Sequence, residues 1–579
     1  MPFFPKLRGN SPTKEFLDTF GGYDHNLKIG DGMWYDEENM TAEHFPLLAT
    51  RHKRGVVQSF TKPLGIITKD TLAYVDGHSL YYNGDKIEGL VLSDDGPKQM
   101  ISMGAYLLIW PDKVWLNTVN MTEWGYMEQR NTTAAAVKVT LTQRDGTGYA
   151  TIVTVAPDSP ADGALWMDVS DDTPVLKKWS AQSGMWVSIP TTYLKIECAN
   201  IGAGLSKGDG VSISGFTADL ASLNGSFVVE AAEDGYIVVI GIVKGNEFTE
   251  TGEVKVERTV PEMDYVCESG NRVWGCKYGF VNGKTVNEIY ASKLGDFKNW
   301  NVFQGLSTDS YVASRGSDGQ FTGAIAHLGY PLFFKENCLE KVYPSATGAH
   351  QIVTTECRGV QKGCWRSLQI VNETLYYKSR EGVCAYTGAL PVGVSSAFGD
   401  VKYSDARGGA LGNRYFISMT SDDGWSLFTY DTAKKLWHRE DDTCAMFFTE
   451  KDGELYFIDE GDNTLRCVMG TDGEKEEDFE WSVESGVIGF EDSEHKYLSH
   501  FVFRAALAPG ACLHLDILYD EDKAWTKRGT YNNCGLRSFV LPVMPRRCDH
   551  LRFRLRGKGE MKLYSIAKIK EKGSDAAWR

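Results

Sequence analysis

Leu375-Tyr376-Tyr377, Tyr415-Phe416-Ile417 and Leu455-Tyr456-Phe457 are three copies of one phrase, set 40 residues apart. Leu332-Phe333-Phe334 stands 43 residues before the first of them. The same apolar–aromatic texture returns at Leu72-Ala73-Tyr74-Val75, Tyr106-Leu107-Leu108-Ile109-Trp110 and Val273-Trp274. A strand core that recurs about every 40 residues is the pattern of a β-propeller, in which each blade is one small antiparallel sheet. The seven anchors predict an all-β chain with six or seven blades.

Working outward, two steps break the rhythm. From Tyr106 to Val273 the step is 167 residues, and removing 131–260 brings it to 37. That stretch opens with Asn131-Thr132-Thr133-Ala134-Ala135-Ala136 and contains Ala156-Pro157-Asp158-Ser159-Pro160, both linker-like. It reads as a small β domain, 131–261, inserted in a loop between blades, where added chain costs little closure entropy. The step from Val273 to Leu332 is 59 and predicts a long surface loop around Gly305–Gly323.

Past residue 480 the phrase stops. The acidic run Asp472-Gly473-Glu474-Lys475-Glu476-Glu477-Asp478 marks a boundary. The alternating segments Leu513–Tyr519, Ser538–Leu541, Leu551–Leu555 and Met561–Tyr564 then predict a C-terminal β-sandwich over 481–579. The propeller is assigned to 21–130 and 262–480, with 1–20 as an exposed N-terminal arm. The segment between Gly21 and Gly55 is expected to supply a strand that closes the ring.

Within the blades, Asp76-Gly77 and Asp452-Gly453 are hairpin-turn dipeptides between apolar strands. Trp124, Trp300 and Trp437 each follow a polar turn and are expected to pack between neighbouring blades.

The net charge of −16 opposes non-specific binding of nucleic acid by the surface as a whole. No run of about 18 apolar residues occurs, so no spanning helix and no membrane partner are expected, and the first residues lack the apolar stretch of a signal peptide. Twelve cysteines are scattered without a Cys-x-x-Cys pair, which reads as free thiols of a reducing compartment. Neither a metal site nor a cofactor is expected.

Motifs of chemistry are weak. Thr420-Ser421-Asp422-Asp423-Gly424-Trp425-Ser426-Leu427 is close to the sialidase Asp box but departs from it at Ser426 and Leu427, and that box stabilises a turn. Gly279-Phe280-Val281-Asn282-Gly283-Lys284-Thr285 imitates a phosphate loop, yet the required first glycine falls on Tyr278, so Asn282-Gly283 reads as a hairpin turn. No nucleophile elbow, zinc helix or calcium loop is present. The expectation is therefore no enzyme and no catalytic residue.

Two constellations point to binding. Arg552, Arg554 and Arg556 alternate with Leu551, Phe553 and Leu555, which on a strand places three guanidiniums on one face. They read as a solvated face over a core, a partner interface or a phosphate contact. In the insertion, Trp166, Trp179 and Trp186 read either as the core of a small unit or as a glycan-stacking platform.

Gly21-Gly22-Tyr23-Asp24-His25-Asn26-Leu27-Lys28-Ile29, followed by Asn39-Met40, Pro46-Leu47-Leu48 and Arg51 to Gly55, resembles the start of virion proteins of phages and prophages of Gram-positive bacteria. Ile289 to Trp300 resembles a blade phrase of the same proteins, and Asp162 to Trp186 looks like modules of phage tail and fibre proteins. The architecture over 21–130 and 262–579 is similar to the packaged-DNA stabilisation, or tail-hub, propeller proteins of short-tailed phages. The long insertion departs from the compact hub pattern.

The resemblance implies a structural protein of the virion, made in the bacterial host cytoplasm. It would serve as a head-to-tail connector or tail hub that closes the DNA channel and anchors tail parts. Its partners would be the portal or an adaptor, a spike or fibre, further copies in a homo-oligomeric ring, and packaged DNA in transient contact. The alternatives are a glycan- or receptor-binding tail protein and a propeller glycosidase.

Overall fold

The computed structural model describes residues 13–572, apart from 150, 190–191, 246, 490–495, 521, 544–545 and 547. The first twelve residues of the expected arm lie outside them. The fold is all-β, with three short 3₁₀ turns among the described residues. No helix among them is long and apolar enough to cross a membrane.

Seven antiparallel sheets follow one another along the chain, each begun by a meander of consecutive strands. All seven apolar–aromatic anchors fall on the second strand of a sheet, from Thr71–Asp76 to Glu454–Asp459. These strands are buried on both faces, which explains their unbroken apolar runs. The first strands, Pro63–Lys69, Gln99–Met103, Tyr265–Glu268, Phe321–His327, Gln369–Val371, Ala406–Leu411 and Ala445–Lys451, neighbour one another in cyclic order, and the last abuts the first. Between the fourth and fifth sheets the contact runs through the 3₁₀ turn Trp365–Ser367. The arrangement is propeller-like. Close approach at the centre needs missing side chains: a Cβ on Gly409 would stand 2.7 Å from the Phe448 ring.

Local chemistry behaves as the sequence implies. Asn282 and Gly283 take φ of 48° and 81° between paired Val281 and Lys284, and Asp452 and Gly453 do the same between Lys451 and Glu454. Both are left-handed two-residue hairpin turns, so the imitation phosphate loop is a strand connection. Trp437 donates its indole N–H to Val394 O at 2.8 Å, bridging the fifth and sixth sheets. Trp300 is buried between the second and third, and Trp124 is partly buried against the apolar cluster of the first and second.

The seventh sheet, Ala445–Lys451, Glu454–Asp459 and Thr464–Cys467, is completed by Gly55–Ser59 from the far end of the chain. The closing strand expected from the N-terminal segment thus begins at Gly55. The rest of that segment, 13–50, goes elsewhere. Trp34–Glu38 pairs with Glu480–Ser485, Leu48–Thr50 with Met561–Lys572, and Thr13–Leu17 with the same terminal strand. This corrects the assignment of 13–20 to a free arm and of 34–50 to the propeller, while Tyr23 does pack into the core of the fifth and sixth sheets. The reason is physical: Phe20, Trp34, Met40 and Leu48 are needed to fill the core of the C-terminal sheets, where all four are buried.

Those C-terminal sheets are two. Glu480–Ser485, Leu551–Lys558, Cys512–Tyr519 and Thr526–Tyr531 form one with Trp34–Glu38, while Met561–Lys572, Lys496–Leu507 and Gly535–Pro542 form the other with the remaining N-terminal strands. They share one apolar core that includes Trp481, Phe501, Phe503, Leu515, Phe553 and Leu563.

The insertion leaves after the second sheet and returns before the third. Gln129–Thr132 and Lys255–Arg258 pair with each other as its neck, close to the limits read from the sequence. Its three sheets enclose their own apolar core. The region around Gly305–Gly323, expected as loop, contains the strand Tyr311–Ser314, the fourth of its sheet.

Candidate functional site

Ile152–Val153, Leu165–Asp168, Val175–Ser180 and Met185–Ile189 make one four-stranded sheet of the insertion. Strand alternation sorts its side chains. Leu165, Met167, Leu176 and Ile189 turn inward onto the insertion core. On the other face Trp166 lies opposite Lys177, and Trp179 opposite Trp186.

The three tryptophans therefore stand in a row on the face away from the main insertion core and pack against one another there. Trp186 meets Trp166 at 5.4 Å and Trp179 at 5.5 Å between ring centroids, both edge to face. Trp166 is buried and donates its N–H to Val153 O at 2.9 Å, while Trp179 and Trp186 are half-buried. Lys177 Nζ lies 4.9 Å from the Trp166 ring centre and 2.6 Å from Asp168 Oδ2. Burial pushes the Asp168 carboxyl up, but Lys177 and Ser170 outweigh it and hold the group below its ordinary value. A row of indole faces and edges beside one ion pair is suited to stacking on the C–H face of a sugar and hydrogen-bonding its hydroxyls.

The arginine stripe lies on Leu551–Lys558, the central strand of its sheet, with Leu551, Phe553 and Leu555 buried behind it as expected. Its charge is matched within the fold. Arg552 reaches Glu484 at 2.8 Å, and Arg554 and Arg556 converge on the buried Asp516 at 2.8 and 2.7 Å. Burial raises the Asp516 carboxyl, and the two guanidiniums more than reverse this. Arg552 also covers the Tyr35 ring and Arg554 the Trp525 ring. The stripe is thus a knitted outer face, with Arg556 its most exposed member. Glu484 and Asp516 come from neighbouring strands, so the residue spacing around the arginines gave no sign of them.

A third place has no counterpart in the sequence reading. The ring of first strands encloses a central cavity of about 420 Å³. Its wall carries Lys98, Arg366 and Arg407 and a single carboxylate, Glu268, among apolar groups. Glycoside hydrolysis ordinarily uses a pair of carboxyl groups facing each other about 5–10 Å apart, and the cavity wall does not supply such a pair.

No protein-family model matches the chain, and no curated protein does. Solved structures do. One is an exo-beta-1,3-galactanase from Phanerochaete chrysosporium, 8% identical with a TM-score of 0.20, covering 52% of this chain and 94% of its own. Another is AztD of Citrobacter koseri, 11% identical, TM-score 0.23, covering 59% and 94%. A third is the extracellular domain of the putative one component system BT4673 from B. thetaiotaomicron, 10% identical, TM-score 0.23, covering 91% and 98%. Because glycoside hydrolases stand among these matches, the exclusion of an enzyme made from the sequence does not hold. At such TM-scores the matches carry no argument for any particular reaction.

Proposed function

We propose that the chain is a structural component of a tailed-phage virion: a seven-bladed β-propeller with an inserted small β domain and a C-terminal β-sandwich. It would work as a head-to-tail connector or tail hub that closes the DNA channel and anchors tail parts. The observation that carries this reading is the way one N-terminal segment stitches both ends of the chain. Residues 13–50 complete the C-terminal sheets, and Gly55–Ser59 completes the ring. Force applied to the terminal sheets is then borne by the ring as well, as a connector requires. The sequence resemblance over 21–55 and 289–300 supports the same assignment. Its partners are a portal or adaptor, a spike or fibre, and further copies of itself. Mass spectrometry and immunogold labelling of purified particles test it. Recovery of the chain solely as a free monomer of the host cytosol, absent from particles, overturns it.

A second reading, a glycan- or receptor-binding tail protein, is favoured by the tryptophan row on the outer face of the insertion. A glycan array probed with the full chain and with a Trp179→Ala/Trp186→Ala variant decides it. No binding by the unaltered chain, or equal binding by the variant, removes it.

A further inference from the structure

Arg366 is the one cation of the central cavity wall without a carboxylate partner. Lys98 Nζ sits 2.7 Å from Asp112 Oδ2 and donates to Ser93 Oγ at 2.7 Å. Arg407 is held by Glu460 at 2.5 Å and Asp405 at 3.2 Å. Arg366, among the described residues, makes no ion pair. Its Nη1 donates to Met446 O at 3.0 Å and its Nε has no partner. The guanidinium is fixed between apolar surfaces, 5.1 Å from the Phe447 ring centre and 5.7 Å from that of Trp365. Burial first, and then the like charge of Arg407, pull it down to about 10.

A partly buried guanidinium with no carboxylate in ion-pair contact is a ready partner for a planar or tetrahedral oxyanion, which guanidinium recognises through paired N–H groups. Ile66, Met100, Val266, Leu368 and Phe448 supply apolar surface around the space, beside the polar Gln99, Ser102 and Gln369 and the carboxylate Glu268. The volume holds a small molecule, and concave sites that combine apolar surface with placed polar groups are the usual form of small-molecule sites.

We propose that the central cavity is a binding site for a small organic anion, a carboxylate or phosphate group on an apolar body, with Arg366 meeting the charge. The site is independent of the virion assignment.

Calorimetric titration of the full chain with phenyl phosphate, benzoate and inorganic phosphate tests it. Phenyl phosphate or benzoate binds, inorganic phosphate binds at least tenfold more weakly, and Arg366→Met loses at least tenfold in affinity for the aryl anion. Since that variant could fail to fold, a second measurement uses the unaltered chain. Phenylglyoxal labels Arg366 early, read by peptide mass spectrometry, and the bound aryl anion slows that labelling. Absence of binding by both aryl anions, equal affinity for inorganic phosphate, unchanged affinity in a folded Arg366→Met, or labelling indifferent to the anion would each overturn the assignment.

Discussion

Arg54 and Asp441 meet at 2.7 Å on the seam where the C-terminal sheets join the ring. Arg54 directly precedes the closing strand, and Asp441 ends the outer strand Leu436–Asp441 of the sixth sheet. The same guanidinium reaches Glu440 at 2.8 Å and donates to Thr443 Oγ1 at 2.9 Å, and both Arg54 and Glu440 are buried. Beside it Arg51 pairs with Glu476 and covers the Phe479 ring. Buried charges of this kind hold their register because each is costly to leave alone.

Arg54→Met is therefore expected to destabilise the chain by about 3–5 kcal/mol, since the buried Glu440 loses its counter-charge and Asp441 keeps only the longer pair to Arg51. Thermal and urea denaturation measure it. A loss below about 1 kcal/mol, the scale of an exposed pair, would contradict the seam as described.

Acid should loosen the same seam. Burial pushes the Asp441 carboxyl up, but Arg54 and Arg51 outweigh it and hold it at about 2, against 3.8 when free. A carboxyl depressed in the folded state stabilises above its unfolded value and loses that contribution as pH falls through the folded one. Stability should fall by on the order of 2 kcal/mol between about pH 4 and pH 2 on this account alone. Asp441→Asn should flatten that part of the stability–pH curve, and an unchanged slope would count against it.

Gly409→Val tests the packing of the ring centre. The added Cβ meets the Phe448 ring at 2.7 Å, and that ring is confined by the seventh sheet. Overpacking of this kind costs about 1–3 kcal/mol. Denaturant midpoints of the variant measure it, with Gly412→Ala as the comparison. There the space is open but φ is +57°, so the cost is conformational alone.

The thiols give a chemical check of the whole chain. All twelve cysteines are free. Cys534 is exposed and should react with Ellman's reagent within the first phase. Burial pushes Cys357 up to about 11, and burial with Glu460 pushes Cys444 up to about 12, so these two should lag. Denaturation should release the full count. Prompt reaction of many thiols in the native protein would show that the sheets are not packed as described.

The periodic strand phrase was legible because it is local. A second strand buried on both faces must be continuously apolar, whatever its neighbours are, so seven such runs marked seven sheets. Turns such as Asn282-Gly283 were legible for the same reason: two adjacent residues suffice to set a left-handed hairpin. The insertion showed itself as a gap in the count, and its neck at Gln129–Thr132 and Lys255–Arg258 falls within a few residues of that gap.

What the sequence could determine alone, then, was the all-β class, the repeat and its interruption, each written in residues within a few positions of one another. Tertiary structure decided the rest. Trp34 lies against strands more than 440 residues later in the chain, Asp516 and Glu484 neutralise arginines they do not adjoin in sequence, and Arg366 faces a cavity made by seven separate strands. Pairing across such separations depends on which edges and charges the folded chain brings together, and side-chain order along the chain carries no record of that.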